Sequence, residues 1–482
     1  MSEKNTNFAR KVYEPAKRNN KINNNDMKRI LSLFFILMST LSFAQRTNTR
    51  GYVTIELTPD HADWTYQTGE NVQIQVTPKL HYVPMQNALV HYTWGPEIRP
   101  AEEEKDLSVG KNGSVSLKLR GSKVPGFKKL TVTTEYDGTK YTNTINIAFS
   151  PERIEPTAVM PHDFLDFWNN EIKRARKIAL EPLFTLHPER CTGTYDVYEV
   201  RFQNTKKGEY LYGALCTPKG VNPADTAATR TYPVMIIWPG AGVKPHPGAP
   251  DYFLEKGIMT LEMGIHGIPV MERQEWYSAL GQSALAGYPN IGMDDRSTYY
   301  YKKVFTGTVR TVDMLCEMAC VDTTHIACFG GSQGGALSIV HAALDKRIQC
   351  TGVAYPAMCE LAGEYRGRVG GWPHFWTGGK PDYKQLMKQD GYRSALALEA
   401  VQEQRVRTLD YYDVVNFARL ITCPVWFQIG FNDHVCCPTS TFSAYNVLTA
   451  EKELFTPLDC GHWQYPEHRQ KRANWLIEHL IK

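Results

Sequence analysis

The stretch "HIACFGGSQGGALSIVHAAL" (residues 325–344) decides the fold of the second half of this chain. An apolar run leads into "GGSQG" (Gly330–Gly334), and a second apolar run follows it. This order predicts a buried strand, a sharp turn and a helix, with Ser332 at the turn. Glycine is expected at residues 330 and 334 because side chains there would collide with neighbouring elements as the chain doubles back.

The same five residues fit the pattern G-x-S-x-G, which alone is weak evidence because glycine and serine are common in loops. The strand before it and the helix after it make it specific. In that context the turn holds the serine in a strained conformation and lifts its hydroxyl out of the sheet. Ser332 is therefore the candidate nucleophile.

A serine hydroxyl attacks efficiently only when a base removes its proton. With this turn, an acid and then a histidine follow the serine along the chain. The segment "CPVWFQIGFNDHVCCP" places Asp433 just past an apolar run, and "ELFTPLDCGHW" places His462 after the last one. Ser332, Asp433 and His462 are the candidate catalytic residues.

Two of these three roles, that of the acid and that of the histidine, have alternative assignments. Asp459 is close to His462 in sequence, but it is expected to face away from the site. Asp413 is expected to cap or face a helix. His434, next to Asp433, is expected to be a bystander or a pocket residue, and a surface-loop role is the alternative for His462.

Acyl transfer also needs donors for the negative oxygen that develops during the reaction. One donor is expected from the backbone N–H of Gln333, directly after the nucleophile. The other is expected from the loop "WPGAGVKPHPG", where Ala241 is the candidate. Gly242, the next residue of this loop, has two equal interpretations: it takes part in the donor site, or it serves only to turn the chain.

Residues 158–482 are predicted to form an α/β domain. A helix is predicted around residues 164–172, where Phe164, Phe167, Trp168 and Ile172 share one face. A hairpin is predicted around residues 207–208. Six near-continuous apolar runs follow and alternate with helical segments, which is typical of a mostly parallel sheet with helices on both faces. The runs are "YPVMIIWPG", "GIMTLEMGI", "HIACFGGS", "CTGVAYP", "CPVWFQIG" and "KELFTPLDCGH".

Residues 46–150 have a different pattern. Six short segments alternate apolar and polar residues and are rich in β-branched side chains. Asn112-Gly113 and Asp137-Gly138 mark tight turns between them. The pattern predicts an immunoglobulin-like β-sandwich, joined to the α/β domain through "SPERIEPT" (residues 150–157).

Residues 1–44 are interpreted as an N-terminal extension with a signal peptide. They carry eight Lys and Arg against three Asp and Glu, and from Met27 they read "MKRILSLFFILMSTLSFAQ". A basic start, a short apolar run and small residues before Gln45 are typical of a secretory signal, with either Met1 or Met27 as the start. The protein is therefore expected to be exported, periplasmic or secreted, without a stable membrane anchor after cleavage.

The composition of the chain after residue 44 argues against nucleic acid and metal ions as partners. Formal net charge is +4, and the extension supplies the excess, so the body gives no reason to expect nucleic acid binding. The eleven cysteines have neither CxxC nor Cys/His zinc spacing, and no metal site is predicted. Their odd number means that at least one cannot pair within the chain.

Several segments resemble the acetyl xylan esterase and cephalosporin C deacetylase family of α/β-hydrolases. The resemblance covers about residue 160 to the end of the chain and implies an esterase that removes acetyl groups from short acetylated sugars. It also implies no metal or organic cofactor, and possible homo-oligomers. The segments are "DFLDFWNNEI", "DDRSTYYYKKVFTGTVRTVDML", "GGSQGGAL" and "YYDVVNFARLITCPVWFQIGFNDHVCCPTSTFSAYN".

Three positions near the mouth of the site depart from the family pattern. Pro239–Ala241 stands where the family usually has His-Gly-Tyr, and His266–Ile268 stands where it usually has Arg-Gly-Gln. Trp463 follows the candidate histidine where Glu is common. These changes leave the three candidate catalytic residues intact and bear on the substrate.

Candidate substrate contacts are His266 and three residues of the segment "GEYRGRVGGWPHFWTGGK", namely Trp372, His374 and Trp376. Aromatic rings in such a loop suit a sugar face, and a lid packed on the body is an equal alternative. The function expected is serine carboxylester hydrolysis on acetylated carbohydrate. A peptidase on the same fold and a catalytically inactive carbohydrate-binding protein remain alternatives.

Overall fold

The computed structural model describes residues 52–246, 248, 251–390 and 392–482. The predicted signal peptide lies outside these residues. Two mostly antiparallel sheets and one large mixed sheet account for the strands of the described part. In that part of the chain, no helix combines the length and apolar character needed to cross a bilayer.

Residues 53–149 form what we call the N-terminal β-unit. One sheet has the order β1-β3-β4 with β7 beside β3, and the other has the order β2-β9-β8-β5-β6. Its strands are β1 (Val53–Pro59), β2 (Thr65–Tyr66), β3 (Val72–Leu80), β4 (Val83–Pro84), β5 (Leu89–Pro96), β6 (Glu103–Ser108), β7 (Val115–Leu119), β8 (Gly126–Tyr136) and β9 (Thr139–Phe149).

Both sheets of the β-unit contribute to one buried apolar cluster, in which Ile74 from β3 and Trp94 from β5 take part. The alternation predicted from the sequence therefore places one face of each sheet inside. Asp137 and Gly138 join β8 to β9 with φ values of 50° and 70°, as a tight hairpin turn requires. An immunoglobulin-like topology and the domain boundaries stay predictions.

The large sheet has nine strands in the order β10-β11-β12-β14-β13-β15-β16-β17-β18. The first four strands in this order pair antiparallel, and the pairs from β14 to β18 are parallel, so the sheet is mixed. The strands are β10 (Leu183–Leu186), β11 (Tyr195–Gln203), β12 (Tyr210–Pro218), β13 (Tyr232–Trp238), β14 (Met259–Met263), β15 (Val321–Gly331), β16 (Ile348–Ala354), β17 (Val425–Gln428) and β18 (Lys452–Phe455).

Helices cover both faces of this sheet. Val234 and Ile236 of β13 belong to one apolar cluster, and Met235 between them belongs to another. Because successive strand residues point to opposite faces, the two clusters lie on opposite sides of the sheet. The helices are α1 (Phe164–Ala175), α2 (Asp251–Leu254), α3 (Gln274–Gly281), α4 (Tyr301–Leu315), α5 (Gln333–Leu344), α6 (Tyr383–Asp390), α7 (Tyr392–Asp410), α8 (Val414–Ala418), α9 (Pro438–Asn446) and α10 (Pro466–Leu480).

The predicted elements of this half are present, with shorter ends. The helix at residues 164–175 buries all four of its predicted face residues, and β11 and β12 form the predicted hairpin. The run "KELFTPLDCGH" is a strand only over its first four residues, because the chain turns away from β17 after Phe455. Within the described residues, no cysteine forms a disulfide bond.

Candidate active site

The candidate nucleophile sits where β15 ends and α5 begins. Ser332 has φ 59° and ψ −125°, a conformation that costs a non-glycine residue energy. A Cβ at Gly330 would lie 2.4 Å from the carbonyl carbon of Gly334, and one at Gly334 would lie 2.2 Å from the carbonyl oxygen of Trp238. The glycines are thus required by close backbone contacts, as the sequence predicts.

Backbone hydrogen bonds hold the serine in this conformation. The N–H of Ser332 donates to the Ala354 carbonyl at 3.0 Å, and its carbonyl accepts from the Ala357 N–H at 3.0 Å. The strain of the turn is therefore opposed by contacts on both sides of the residue. The side chain is buried in part, and the turn lies at the carboxyl edge of the sheet.

Asp433 lies in the segment Phe431–Thr439, which we call the acid loop and which follows β17. Its carboxylate is fully buried. Oδ1 accepts from the backbone N–H groups of Val435 and Cys436, each at 2.8 Å. Oδ2 faces His462 Nδ1 at 2.8 Å. One oxygen therefore ties the carboxylate to its own loop, and the other is free to orient the histidine.

His462 completes this pair from the loop after β18. Because Asp433 Oδ2 accepts the Nδ1 proton, the neutral ring presents Nε2 as a base. Within the described residues, the ring makes no direct hydrogen bond to Ser332. The Cys436 thiol of the acid loop interacts with the Ser332 side chain, so the serine adjoins the loop that carries Asp433.

Tyr355 links the nucleophile turn to the histidine. It follows β16 with φ 34°, and its N–H donates to the Gln428 carbonyl at 2.8 Å. Its ring centroid is 4.8 Å from that of His462, and the same ring lies against the backbone of Gly331. Burial raises the pKa of its hydroxyl to about 12, so it stays neutral at ordinary pH.

The side chain of Gln333 is fully buried behind the turn. Its Oε1 accepts from the hydroxyls of Tyr288 and Tyr301, at 2.7 and 2.8 Å. Its Nε2 donates to the Pro239 carbonyl at 3.4 Å. The backbone N–H of Gln333 has no hydrogen-bond partner within the described residues, so it can point toward a reacting oxygen.

The loop that carries Ala241 is fixed one residue further on, at Gly242. Its N–H donates to the Tyr288 hydroxyl at 3.3 Å, and its carbonyl accepts from His266 Nε2 at 3.2 Å. With φ 112°, this position favours glycine. Its N–H is occupied, whereas that of Ala241 has no partner among the described residues. This arrangement is compatible with the predicted role of the Ala241 N–H as the second oxyanion donor.

His266 is buried beneath this loop rather than open to the mouth of the site. Since the Gly242 carbonyl can only accept, Nε2 carries the proton and Nδ1 accepts from the Tyr300 hydroxyl at 2.7 Å. Burial lowers the pKa of the ring to about 4, which keeps it neutral. Both nitrogens are engaged, which favours a role in holding the loop over the predicted contact with substrate.

The three other predicted substrate residues are mostly packed into the protein. Trp376 is only 6% exposed, and its Nε1 donates to Gln402 at 2.8 Å, which argues against the predicted sugar platform there. His374 Nε2 donates to the Val435 carbonyl of the acid loop at 2.9 Å. Trp372 is half-buried against the main apolar cluster and keeps part of its surface exposed.

The alternative acids have other partners. Asp413 caps α8 by accepting from the Val415 N–H at 3.0 Å and also accepts from Leu361. Asp459 accepts from the exposed Tyr465 hydroxyl at 2.5 Å. Of the three carboxylates, Asp433 is the one that meets His462 in the described part of the chain.

Sequence reasoning missed the tyrosines of the site. Tyr355 stands at the end of an apolar strand next to the nucleophile strand, a position that could have marked it. For Tyr300 and Tyr301, at the start of α4, the sequence carries no signal beyond packing. The structure adds hydrogen bonds from both, one to His266 and one to Gln333. Tyr288 lies in a stretch without periodicity, so no signal identifies it.

Comparison with known proteins adds the family. A family model described as acetyl xylan esterase matches residues 152–479. The chain belongs to the acetyl xylan esterase family. It is also 34% identical over 459 residues to the "Acetyl esterase Axe7A" of Xylanibacter ruminicola, a match that covers 94% of this chain and 97% of the relative. The chain is accordingly a carboxylester hydrolase, and the resemblance inferred from the sequence is confirmed.

Two solved structures of acetyl xylan esterases share the fold. One, from Paenibacillus sp. R4, is 25% identical with a TM-score of 0.55, covering 68% of this chain and 98% of that one. The other, from Thermoanaerobacterium sp. JW/SL YS485, is 20% identical with a TM-score of 0.52, covering 68% and 97%. The α/β-hydrolase fold of the large sheet and its helices is confirmed.

The two kinds of match differ in extent. The acetyl xylan esterase from Paenibacillus is covered almost completely, yet it accounts for about two thirds of this chain. The match to the Xylanibacter relative covers so much of the chain that it has to include most of residues 46–150. The N-terminal β-unit lies before residues 152–479, the part of the chain that the acetyl xylan esterase family model matches. Homo-oligomers stay a prediction.

Proposed function

We propose that this chain is a serine acetyl esterase that removes acetyl groups from acetylated xylan fragments or related acetylated carbohydrates. The observation that carries the proposal is the 2.8 Å contact between His462 Nδ1 and Asp433 Oδ2 beside the strained turn of Ser332. A base that is oriented by a buried acid, near a serine held in a strained turn, is the arrangement that acyl transfer needs.

In the first half of the reaction, Ser332 Oγ attacks the acetyl carbonyl while His462 Nε2 takes the hydroxyl proton. The hydroxyl reaches Nε2 in the reacting complex, because such contacts often close only when substrate is bound. Asp433 stabilises the imidazolium that forms. The backbone N–H groups of Ala241 and Gln333 donate to the oxygen that becomes negative.

The tetrahedral intermediate then collapses. The bond between the carbonyl carbon and the sugar oxygen breaks, and His462 gives its proton to the departing oxygen, which leaves as a sugar hydroxyl. The acetyl group remains on Ser332 as an ester. Water, deprotonated by His462, attacks this ester, and the second collapse releases acetate and returns the proton to Ser332.

The substrate class rests on the relatives and on the mouth of the site. The Xylanibacter relative is named an acetyl esterase, and the solved neighbours are named acetyl xylan esterases. An acetyl group is small, so the packed surroundings of His266 and Trp376 are compatible with it. The part of Trp372 that stays exposed is the surface we assign to the sugar ring.

We also propose that the protein is exported through residues 27–44. The support is the sequence pattern of that segment, a basic start followed by an apolar run and small residues. Amino-terminal sequencing of the mature protein from cells that export it is expected to begin at or near Gln45. A mature chain that still begins at Met1 or Met27 would refute this part.

The function is tested by acetate release from three substrates side by side: acetylated xylo-oligosaccharides, acetylated glucosamine and an aryl acetate. The first is expected to be turned over with the highest kcat/KM. Ser332→Ala is expected to lower kcat by about 10³-fold or more, because the attacking group is lost. The variant should keep the melting temperature and circular dichroism spectrum of the parent chain.

Three results would count against the proposal. A Ser332→Ala variant with most of its esterase activity would exclude Ser332 as the nucleophile. Peptide cleavage without acetate release would favour a peptidase, and failure of a fluorophosphonate to label the parent chain would favour an inactive binding protein. Ser338→Ala is the matched control, because Ser338 is a buried serine of the same helix, α5, and its hydroxyl donates to the Gly334 carbonyl.

A further inference from the structure

The acid loop touches the N-terminal β-unit as well as its own sheet. Phe431 of the loop and Phe442 of the following helix α9 pack against Phe127 of β8, with their ring centroids 4.9 and 5.6 Å from that of Phe127. The two segments are about three hundred residues apart in sequence. The loop that carries the candidate acid is thus partly enclosed by a unit that lies outside the part matched by the family model.

Asn146 of β9 makes the most direct polar contacts with this loop. Its Nδ2 donates to the Phe431 carbonyl at 2.7 Å, and its backbone N–H donates to Asn432 Oδ1 at 2.8 Å. Asn146 is fully buried, and Asn432 is 7% exposed. Buried polar groups lose free energy without partners, so these bonds fix the register of the loop against β9.

A second group of the β-unit holds the other end of the loop. Glu97, just after β5, is buried and accepts from the backbone N–H of Thr439 at 3.3 Å and from its hydroxyl. The Phe127 N–H donates to the same hydroxyl at 3.0 Å. Asn146 Nδ2 also donates to Glu97 Oε1 at 3.4 Å, which joins the two contacts.

Asp433 lies between these two points of attachment. Its Oδ1 accepts from two backbone N–H groups of the loop, so the carboxylate turns and shifts with the loop backbone. Oδ2 is the atom that meets His462. Whatever fixes the loop backbone therefore fixes the distance and angle at which the carboxylate reaches the imidazole.

We propose that the N-terminal β-unit positions the catalytic acid, with Asn146 as the positioning residue and Glu97 as its support. The proposal rests on the proposed function, because it assumes that Asp433 orients His462 during catalysis. It gives the added unit a role in the reaction without any contact with substrate. The role is specific to relatives that carry this unit.

The proposal is tested by a double-mutant cycle with an aryl acetate as substrate. Asn146→Ala is expected to lower kcat by about 5- to 50-fold with little change in KM, since a small misplacement of the acid slows chemistry more than binding. Asp433→Asn is expected to lower kcat by about 10³- to 10⁴-fold. In the Asp433→Asn background, Asn146→Ala should cost less than about twofold, because the group that Asn146 positions has lost its function.

Asn143→Ala is the matched control. Asn143 is on the same strand and also donates from its side chain to a backbone carbonyl, that of Ile55 at 2.8 Å within the β-unit. Its replacement is expected to change stability and leave kcat alone. If Asn146→Ala does not fold, Asn432→Ala removes the side-chain acceptor on the acid loop. It should likewise lower kcat with little change in KM.

The outcomes separate the two claims. A fully active Asp433→Asn variant would refute the catalytic role of Asp433 and the positioning proposal with it. An inactive Asp433→Asn variant combined with normal kcat for Asn146→Ala would refute the positioning proposal alone. Equal losses for Asn146→Ala in both backgrounds would also refute it, since the effect would then not pass through Asp433.

Discussion

The nucleophile turn and the acid loop are held by different means. Ser332 is fixed by its own sheet: Ala354 and Ala357 lie next to it in space and soon after it in sequence, and the glycines around it contact backbone. The acid loop is fixed from outside, by Asn146, 286 residues before Asn432, and by Glu97, 342 residues before Thr439.

This difference separates the contacts made by the shared α/β-hydrolase fold from the contacts made by the N-terminal β-unit. The turn is formed by the sheet and helix that the chain shares with the solved acetyl xylan esterases. The acid loop relies in addition on a unit outside that common part. Damage to the turn should therefore affect folding and activity together, whereas damage to the added contacts should affect activity through Asp433.

Among the changes that test this contrast between the two regions, the largest effect is expected from Gly334→Ala. The new Cβ would lie 2.2 Å from the Trp238 carbonyl oxygen, and backbone cannot move aside as a flexible side chain can. We expect kcat to fall by about 10²-fold or more and stability by about 1–3 kcal/mol or more. Thermal unfolding and acetate release would measure both.

Gly193→Ala is the control for that change. A Cβ at this glycine would meet nothing within 4 Å, and the residue does not have a positive φ. It should leave activity and the unfolding midpoint as they are. A Gly334→Ala variant that behaves like this control would show that the turn tolerates displacement and that our contrast between the two regions is wrong.

A smaller effect is expected from Tyr288→Phe. The hydroxyl accepts from the Gly242 N–H and donates to Gln333 Oε1, so it joins the two segments that carry the candidate oxyanion donors. Its loss leaves the Gly242 N–H unpaired. We expect kcat to fall about tenfold and stability to fall by about 1–3 kcal/mol, as measured by steady-state kinetics and urea unfolding.

Tyr299→Phe provides the matched control. Its hydroxyl is buried without a hydrogen-bond partner in the described part of the chain, so removing it costs no bond. This variant should be as active as the parent chain and at least as stable. Equal activity losses for the two tyrosine variants would mean that disturbed packing of these aromatic residues causes the loss. The hydrogen bonds that Tyr288 makes to Gly242 and Gln333 would then not be its cause.

The sequence predicts those features of the fold that are determined by residues close to one another along the chain. Strong apolar periodicity indicates the strands of the large sheet, the helix at residues 164–175 and the glycine-rich turn, because each is determined by neighbours along the chain. Chain order then points to Asp433 and His462, which the structure brings within 2.8 Å. The charged strand β6 was missed, since "EEKDLS" has little apolar alternation.

Single hydrogen bonds between distant segments leave no such pattern. Asn146 is one polar residue in an otherwise ordinary strand, and nothing in its neighbours indicates that the Phe431 carbonyl will face it. The same holds for Tyr288 and Gly242. The burial of His266 and Trp376 could not be predicted either, because the burial of a loop residue depends on elements far away in sequence.

The smallest expected effect concerns Glu97 and the pH dependence of stability. Burial raises the pKa of its carboxyl to about 8 from a usual value of 4.5, and the charge of Asp433 acts in the same direction, against bonds from Thr439 and the charge of Lys129. Between these pH values the unfolded chain loses this proton and the folded chain keeps it. The carboxyl therefore lowers stability progressively as pH rises from about 4.5 to about 8.

Glu97→Gln removes that proton, and its amide oxygen can still accept both bonds from Thr439. The free energy of unfolding of the variant, relative to the parent chain, should therefore rise steadily from about pH 5 to about pH 8 in urea titrations. Groups common to both chains cancel in this difference. A difference for Glu97→Gln that does not change with pH would mean that Glu97 is already ionised in the folded protein. The buried contact between the β-unit and the acid loop would then carry the full negative charge of Glu97 near Asp433. The contacts of the loop would then hold Asp433 in place against electrostatic repulsion from Glu97.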